Sequence, residues 1–313
     1  MKLFRGFAVA SAVLALAIAV LGSWVRINNA GLTCPDWPLC HGELVPSLHG
    51  GVVLEWSHRF VAFIEGFVVL GAIVTGFRAR ARVAGVNGTL VALAIIFALQ
   101  VSLGGATVLL ANSPFSVMLH WGMGMALLAT LTTLAVLAIL APPRGSARPF
   151  AGASDSAAPA LAIAASFAFV TMCIGAYVSS SYAGLACTTV PACDGSLLGH
   201  SPAQFVQMLH RLAAFAFAIV AAIATIVAYQ SNSPRVRAFA TLGGTLVLVQ
   251  IALGLGNVVW HLPTAMREAH AANACATFLA FVLATVFATL DPLRVPAPAS
   301  DRLRAGAPVA TNA

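Results

Sequence analysis

The sequence predicts an all-α membrane protein in which eight transmembrane helices form two tandem four-helix bundles related by a pseudo-two-fold axis. Three observations lead there. The 313 residues are 60% hydrophobic and only 8% charged, with a mean hydropathy of +0.94, more apolar surface than a soluble domain can hide. The apolar residues fall in runs of about twenty, the length that crosses a bilayer as a helix. Membrane strands would need alternating polarity over about ten residues, which is absent. Finally, the first half of the chain is written again in the second.

The repeat carries chemistry. Leu21-Gly22, followed by Ala30-Gly31-Leu32, Cys34, Cys40 and Gly42, returns as Ile174-Gly175, then Ala183-Gly184-Leu185, Cys187, Cys193 and Gly195. His58-Arg59 with Ala62-Phe63 returns as His210-Arg211 with Ala214-Phe215. Gln100, Leu103 and Gly104 return as Gln250, Leu253 and Gly254, and a histidine closes each copy, His120 and His270.

The helices are expected at 4–25, 51–76, 88–111, 116–140, 158–180, 203–230, 238–260 and 264–290. The first, with Lys2 and Arg5 ahead of its apolar run, imitates a secretory signal. Its far end recurs inside the chain as part of an internal helix, so it is expected to be retained. The second carries Glu55, His58, Arg59 and Glu65, the third Gln100, Gly104 and Gly105, and the fourth His120. These make one unit, 1–140. A linker at 141–157, opening with Pro142-Pro143, is expected to be flexible. The second unit, 158–290, repeats the series with Gln207, His210 and Arg211, then Gln250, Gly254 and Gly256, then Glu268 and His270. The tail, 291–313, has Pro292, Pro296, Pro298 and Pro308 among small residues and is expected to be disordered. Four helices per copy is an even number, so both copies enter the membrane in one direction and the axis relating them runs along its normal.

A formal charge of +7 invites a nucleic-acid reading, but its distribution excludes that. Lys2, Arg5, Arg78, Arg80, Arg82, Arg144, Arg148, Arg235, Arg237, Arg294, Arg302 and Arg304 fall on one side of the eight-helix plan, and only Arg26, Arg59, Arg211 and Arg267 at or near the other. This bias puts both termini in the cytoplasm. Trp24, Trp56, Trp121 and Trp260 fall at outer helix ends, where indoles favour the interface.

Ionisable residues inside spanning helices are costly and read as functional. His58, His120, His210 and His270 lie at matched depth, two per bundle. Two imidazoles on facing helices form an axial pair for haem iron, whereas zinc or copper wants three or four clustered ligands. Gly104, Gly105, Gly254 and Gly256 would let a flat macrocycle approach the backbone, or serve close helix packing. His41, His49, His200 and His261 read as solvated. Cys34 with Cys40, and Cys187 with Cys193, lie in outer loops and suit structural disulfides; a redox-active pair is the other reading. Cys173 and Cys275 read as small buried hydrophobes.

Asymmetry between the copies points to catalysis. Glu55 stands one turn before His58, and its counterpart is Gln207; a carboxylate can act as acid, base or nucleophile, which an amide cannot. The other reading of Glu55 is a charge favoured by the helix dipole. Glu65 is expected to hydrogen-bond Gln100, Glu268 to sit at the interface, and Arg59 and Arg211 to meet haem propionates or extend to lipid headgroups.

Taken together, the two four-helix repeats, the Glu55-x-x-His58 motif, His120, His210, His270 and the paired loop cysteines resemble the haem A synthase family over about residues 7–290. That resemblance implies oxidation of the C8 methyl of haem O to a formyl group, giving haem A for cytochrome oxidase. It implies haem b as a cofactor held by His210 and His270, haem O received at His58 and His120, and catalysis by Glu55. A bacterial plasma membrane, a haem O synthase and cytochrome oxidase assembly factors as partners follow from it too, and a homo-oligomer is compatible with it. The competing classes are a two-haem transmembrane electron-transfer cytochrome b, which has no use for a carboxylate in one half alone, and a haem transporter or chaperone.

Overall fold

The computed structural model describes residues 1–141 and 156–290. Eight helices are long and apolar enough to cross a membrane: α1 (Lys2–Ile27), α2 (Gly50–Ala79), α3 (Val86–Leu109), α4 (Pro114–Leu140), α5 (Ala158–Ser180), α6 (Pro202–Ala228), α7 (Pro234–Val259) and α8 (Thr264–Leu290). Among the described residues there are no strands, only isolated bridges at Cys40–Glu43 and Cys193–Ser196. The expected tail and most of the expected linker lie outside the described residues.

Local chemistry starts several helices sharply. In α4, α6 and α7 a serine (Ser113, Ser201, Ser233) accepts the backbone N–H three residues on, and proline takes the first helical position. A serine cap satisfies an orphan donor, and proline there gives up an N–H that has no helical partner. This cap is why α7 begins four residues earlier than hydropathy alone predicts.

Within each half the first helix packs on the second and the third on the fourth, while α2 and α3 touch only thinly. The halves meet through α4, α5, α1 and α8. Accordingly α4 and α8 are the most enclosed helices, and Met125, Leu128, Leu131, Leu134, Phe281 and Ala284 form the centre of the core. Left-handed backbone recurs at matching places in the two halves: Asn29 and Tyr182, His41 and Asp194, Asn112 and Leu262. The repeat in the sequence is therefore also a repeat of turns.

Candidate haem-binding site

Each of the four intramembrane histidines has the same surroundings. A Cβ on Gly22 of α1 would stand 2.9 Å from Cε1 of His58, and one on Gly175 of α5 would stand 2.9 Å from Cε1 of His210. The corresponding distances are 3.2 Å from Gly104 to His120 and 3.3 Å from Gly254 to His270. In every case the ring lies edge-on against the preceding helix at a residue with no side chain. The ring faces the carbonyl one turn before that glycine, of Ile18, Gln100, Thr171 or Gln250, and its Nδ1 is enclosed without a completed hydrogen bond. The residues as wholes are only half-buried, so the closed edge is the Nδ1 edge. His58 and His120 lie close enough to interact electrostatically, as do His210 and His270. His270 differs in one respect: its Nε2 is 3.2 Å from Nε2 of Gln250, whose Oε1 accepts from Asn273 at 2.7 Å.

Above each pair lies a cysteine loop, closed by Cys34–Cys40 and by Cys187–Cys193. One helix residue holds each loop by its first cysteine: Glu55 accepts the Cys34 N–H at 2.8 Å, and Gln207 accepts the Cys187 N–H at 2.5 Å. Glu55 also accepts from the Thr33 hydroxyl at 2.9 Å and pairs with Arg59 at 2.6 Å. Gln207 instead donates to the Gly184 carbonyl at 2.6 Å. Arg59 donates to the carbonyls of Asp36, Leu39 and Cys34 as well, and Arg211 donates to those of Thr189 and Cys187. In the first loop the Asp36 carboxylate accepts the N–H groups of His41 and Gly42. The Gly42 bond above all holds its pKa below the ordinary 3.8.

Two imidazoles per half, enclosed on one edge and seated on glycine, fit an axial pair for haem iron. Among the described residues no cluster of three or more His, Cys, Asp or Glu suits another metal. Comparison with known proteins gives the family. A model of the family described as cytochrome oxidase assembly protein matches residues 5–52 and 47–282. Heme A synthase from Geobacillus kaustophilus is 30% identical over 280 residues, covering 85% of this chain and 86% of its own. The chain belongs to the haem A synthase family. Heme A synthase from Bacillus licheniformis is 28% identical over 277 residues, covering 86% of this chain and 91% of its own. Heme A synthase from Shewanella oneidensis is 28% identical over 322 residues, with shares of 88% and 92%.

In this haem A synthase family member the structure bears on several expectations. Arg59 and Arg211 lie directly beneath the cysteine loops, where Arg59 bonds the carbonyls of Asp36, Leu39 and Cys34 and Arg211 those of Thr189 and Cys187. Gly104 and Gly254 make room for the imidazoles of His120 and His270. Gly105 lies 3.1 Å (from its would-be Cβ) from the ring of Trp37, and Gly256 lies 2.6 Å likewise from Met266. Glu65 and Gln100 form no hydrogen bond with each other; an oxygen of each is enclosed and unpartnered. Glu268 is not a free interfacial charge, since it accepts from Ser23 of α1 across the seam between halves. Sequence reasoning also missed residues. Gly22 and Gly175 had a signal, a glycine repeated in step with a histidine, whereas Trp37 had only its place between two cysteines.

Proposed function

We propose that this chain is a haem A synthase, oxidising the C8 methyl of haem O to the formyl group of haem A for cytochrome oxidase. The carrying observation is the pair of glycine-seated imidazoles in each half. His210 and His270 in 158–290 would hold haem b, which supplies one-electron redox chemistry when bound. His58 and His120 in 1–140 would receive haem O. An Nδ1 edge turned to a backbone carbonyl favours the tautomer that offers Nε2 to iron; at His270 that nitrogen first exchanges its contact with Gln250.

Converting a methyl to a formyl group with the oxygen of water releases four electrons, which must pass to an external electron acceptor, and four protons, so a proton acceptor beside the methyl is needed. Glu55 is the candidate: it is buried, one turn outward from His58, and oriented by Arg59, Thr33 and Cys34. The C8 methyl shares a pyrrole with a propionate, so it belongs near the outer edge where Glu55 stands. We further propose that the two halves are related by a two-fold axis along the membrane normal and that both termini face the cytoplasm of a bacterial cell. A haem O synthase and the oxidase assembly machinery are the expected partners.

One observation favours the second reading, a two-haem electron carrier: Gln207 makes the same contact to its loop as Glu55 does, so that contact alone does not require a carboxylate. Glu55→Gln separates the readings. Expressed with a source of haem O, the variant should keep its loop and its haems but yield no extractable haem A. Continued haem A production would remove Glu55 from the chemistry. Growth in labelled water and labelled oxygen tests the route, and a formyl oxygen taken from O₂ under non-exchanging conditions would exclude hydration.

A further inference from the structure

We propose that Glu65 and Gln100 form a polar floor in the first half that recognises the hydroxyl group on the isoprenoid side chain of haem O, selecting haem O over protohaem. This rests on the reading of the first half as the substrate-binding half.

The argument comes from comparing the same place in the two halves. In the second, Gln250 is complete: its Oε1 accepts from Asn273, and its Nε2 donates to the His270 carbonyl at 3.1 Å. In the first, Gln100 is its counterpart, and Asn273 is replaced by Met123, which has no donor to give. The Gln100 side chain lies against Gly124, 3.2 Å from where a Cβ would stand, and its Oε1 is enclosed with no partner. Glu65 replaces Phe217, which in the second half packs edge-on against Phe281. Glu65 is 5% exposed, and its Oε1 is enclosed without a partner too.

These two groups stand at one level. A Cβ on Gly66 of α2 would lie 3.6 Å from the Phe97 ring of α3, which brings Glu65 and Gln100 within about a turn of each other along the helices. They belong to the two neighbouring helices that touch only thinly. An enclosed acceptor left unbonded is costly, on the scale of a lost hydrogen bond. Two such oxygens at one depth, where the other half has a fully bonded Gln250 and an apolar Phe217, call for an O–H donor from outside the chain.

The orientation of the ligand follows from its polarity. Both iron-binding candidates of this half, His58 and His120, lie towards the outer side, so the propionate edge faces outward to water and the apolar edge points to mid-membrane. Haem O carries a hydroxylated farnesyl chain at a ring position where protohaem carries a vinyl group. Only haem O brings an O–H to that depth.

The test uses purified full-length protein with its second half filled with haem b, titrated with haem O or protohaem, and followed by Soret absorbance and haem extraction. The first half should prefer haem O by about tenfold or more, the factor that one net hydrogen bond supplies. Glu65→Leu and Gln100→Leu should lose that preference while binding protohaem as before, which shows the fold and His ligation intact. Glu65→Gln, which keeps an acceptor, should retain it. A preference absent from the native chain, or unchanged in both leucine variants, overturns the proposal. Absence of any haem dependent on His58 would instead overturn the underlying reading of the first half.

Discussion

Glycine and histidine act as one unit in this molecule. Where a Cβ at Gly22 would meet His58 at 2.9 Å, even alanine forces the ring to move, and overpacking of this kind costs about 1–3 kcal/mol. Gly22→Ala should therefore weaken haem binding in the first half by about tenfold and leave the second half alone, and Gly175→Ala should do the reverse, both read by haem titration. Asp36 supplies a second residue-scale test. Its folded pKa is depressed, so the carboxylate stabilises the loop above the unfolded value and that stabilisation is lost as pH falls through the folded one. Reduction of Cys34–Cys40 by a phosphine should thus accelerate only below the ordinary aspartate range. Cys187–Cys193, with Thr189 in the equivalent position bonding the Asp194 N–H, should show no such step.

At the scale of the element, the outer loops are clamped from below by the helices that carry the histidines. Arg59→Leu would leave Glu55 enclosed without its counter-charge, a loss of about 3 kcal/mol for a buried pair, read by detergent unfolding and by proteolysis of the loop. Arg211→Leu should cost less, because Gln207 is neutral. Helix existence was legible in the sequence, since apolar runs and serine–proline starts act locally. The matched placement of the four histidines was legible because duplication placed each beside a second copy. Apart from the i,i+4 pair between Glu55 and Arg59, what Arg59, Glu55 and Glu268 touch was not, because those partners are 20 or more residues away: Cys34 lies 25 residues from Arg59, and Ser23 lies 245 from Glu268. The role given to Glu55 from asymmetry alone also missed that Glu55 and Gln207 share a structural task.

The whole molecule is joined at its outer seam by Ser23 to Glu268, by Arg26 to the Ser179 carbonyl at 3.0 Å and by Arg267 to the Ile27 carbonyl at 3.3 Å. Deeper in, Cys275 meets Met125 at 3.8 Å, and a Cβ on Gly122 would stand 3.0 Å from the Cys173 sulfur. Halves expressed as two chains divided within 142–155 should hence purify together, and Gly122→Leu should separate them on size exclusion. Eight crossings leave both ends of the bundle on one side, so reporters that work only in the cytoplasm should be active when fused at either terminus.

The two halves share their paired histidines, glycine seats and cysteine loops, yet among the matched positions around them three differ in polarity: Glu55 against Gln207, Glu65 against Phe217, and Met123 against Asn273. A triple exchange of the first set for the second would give the first half the second half's side chains at these places. The product expected is a molecule that stores electrons on two like pigments and manufactures nothing. By that measure, descent from a simple shuttle to a maker of new pigment would take only a few codons.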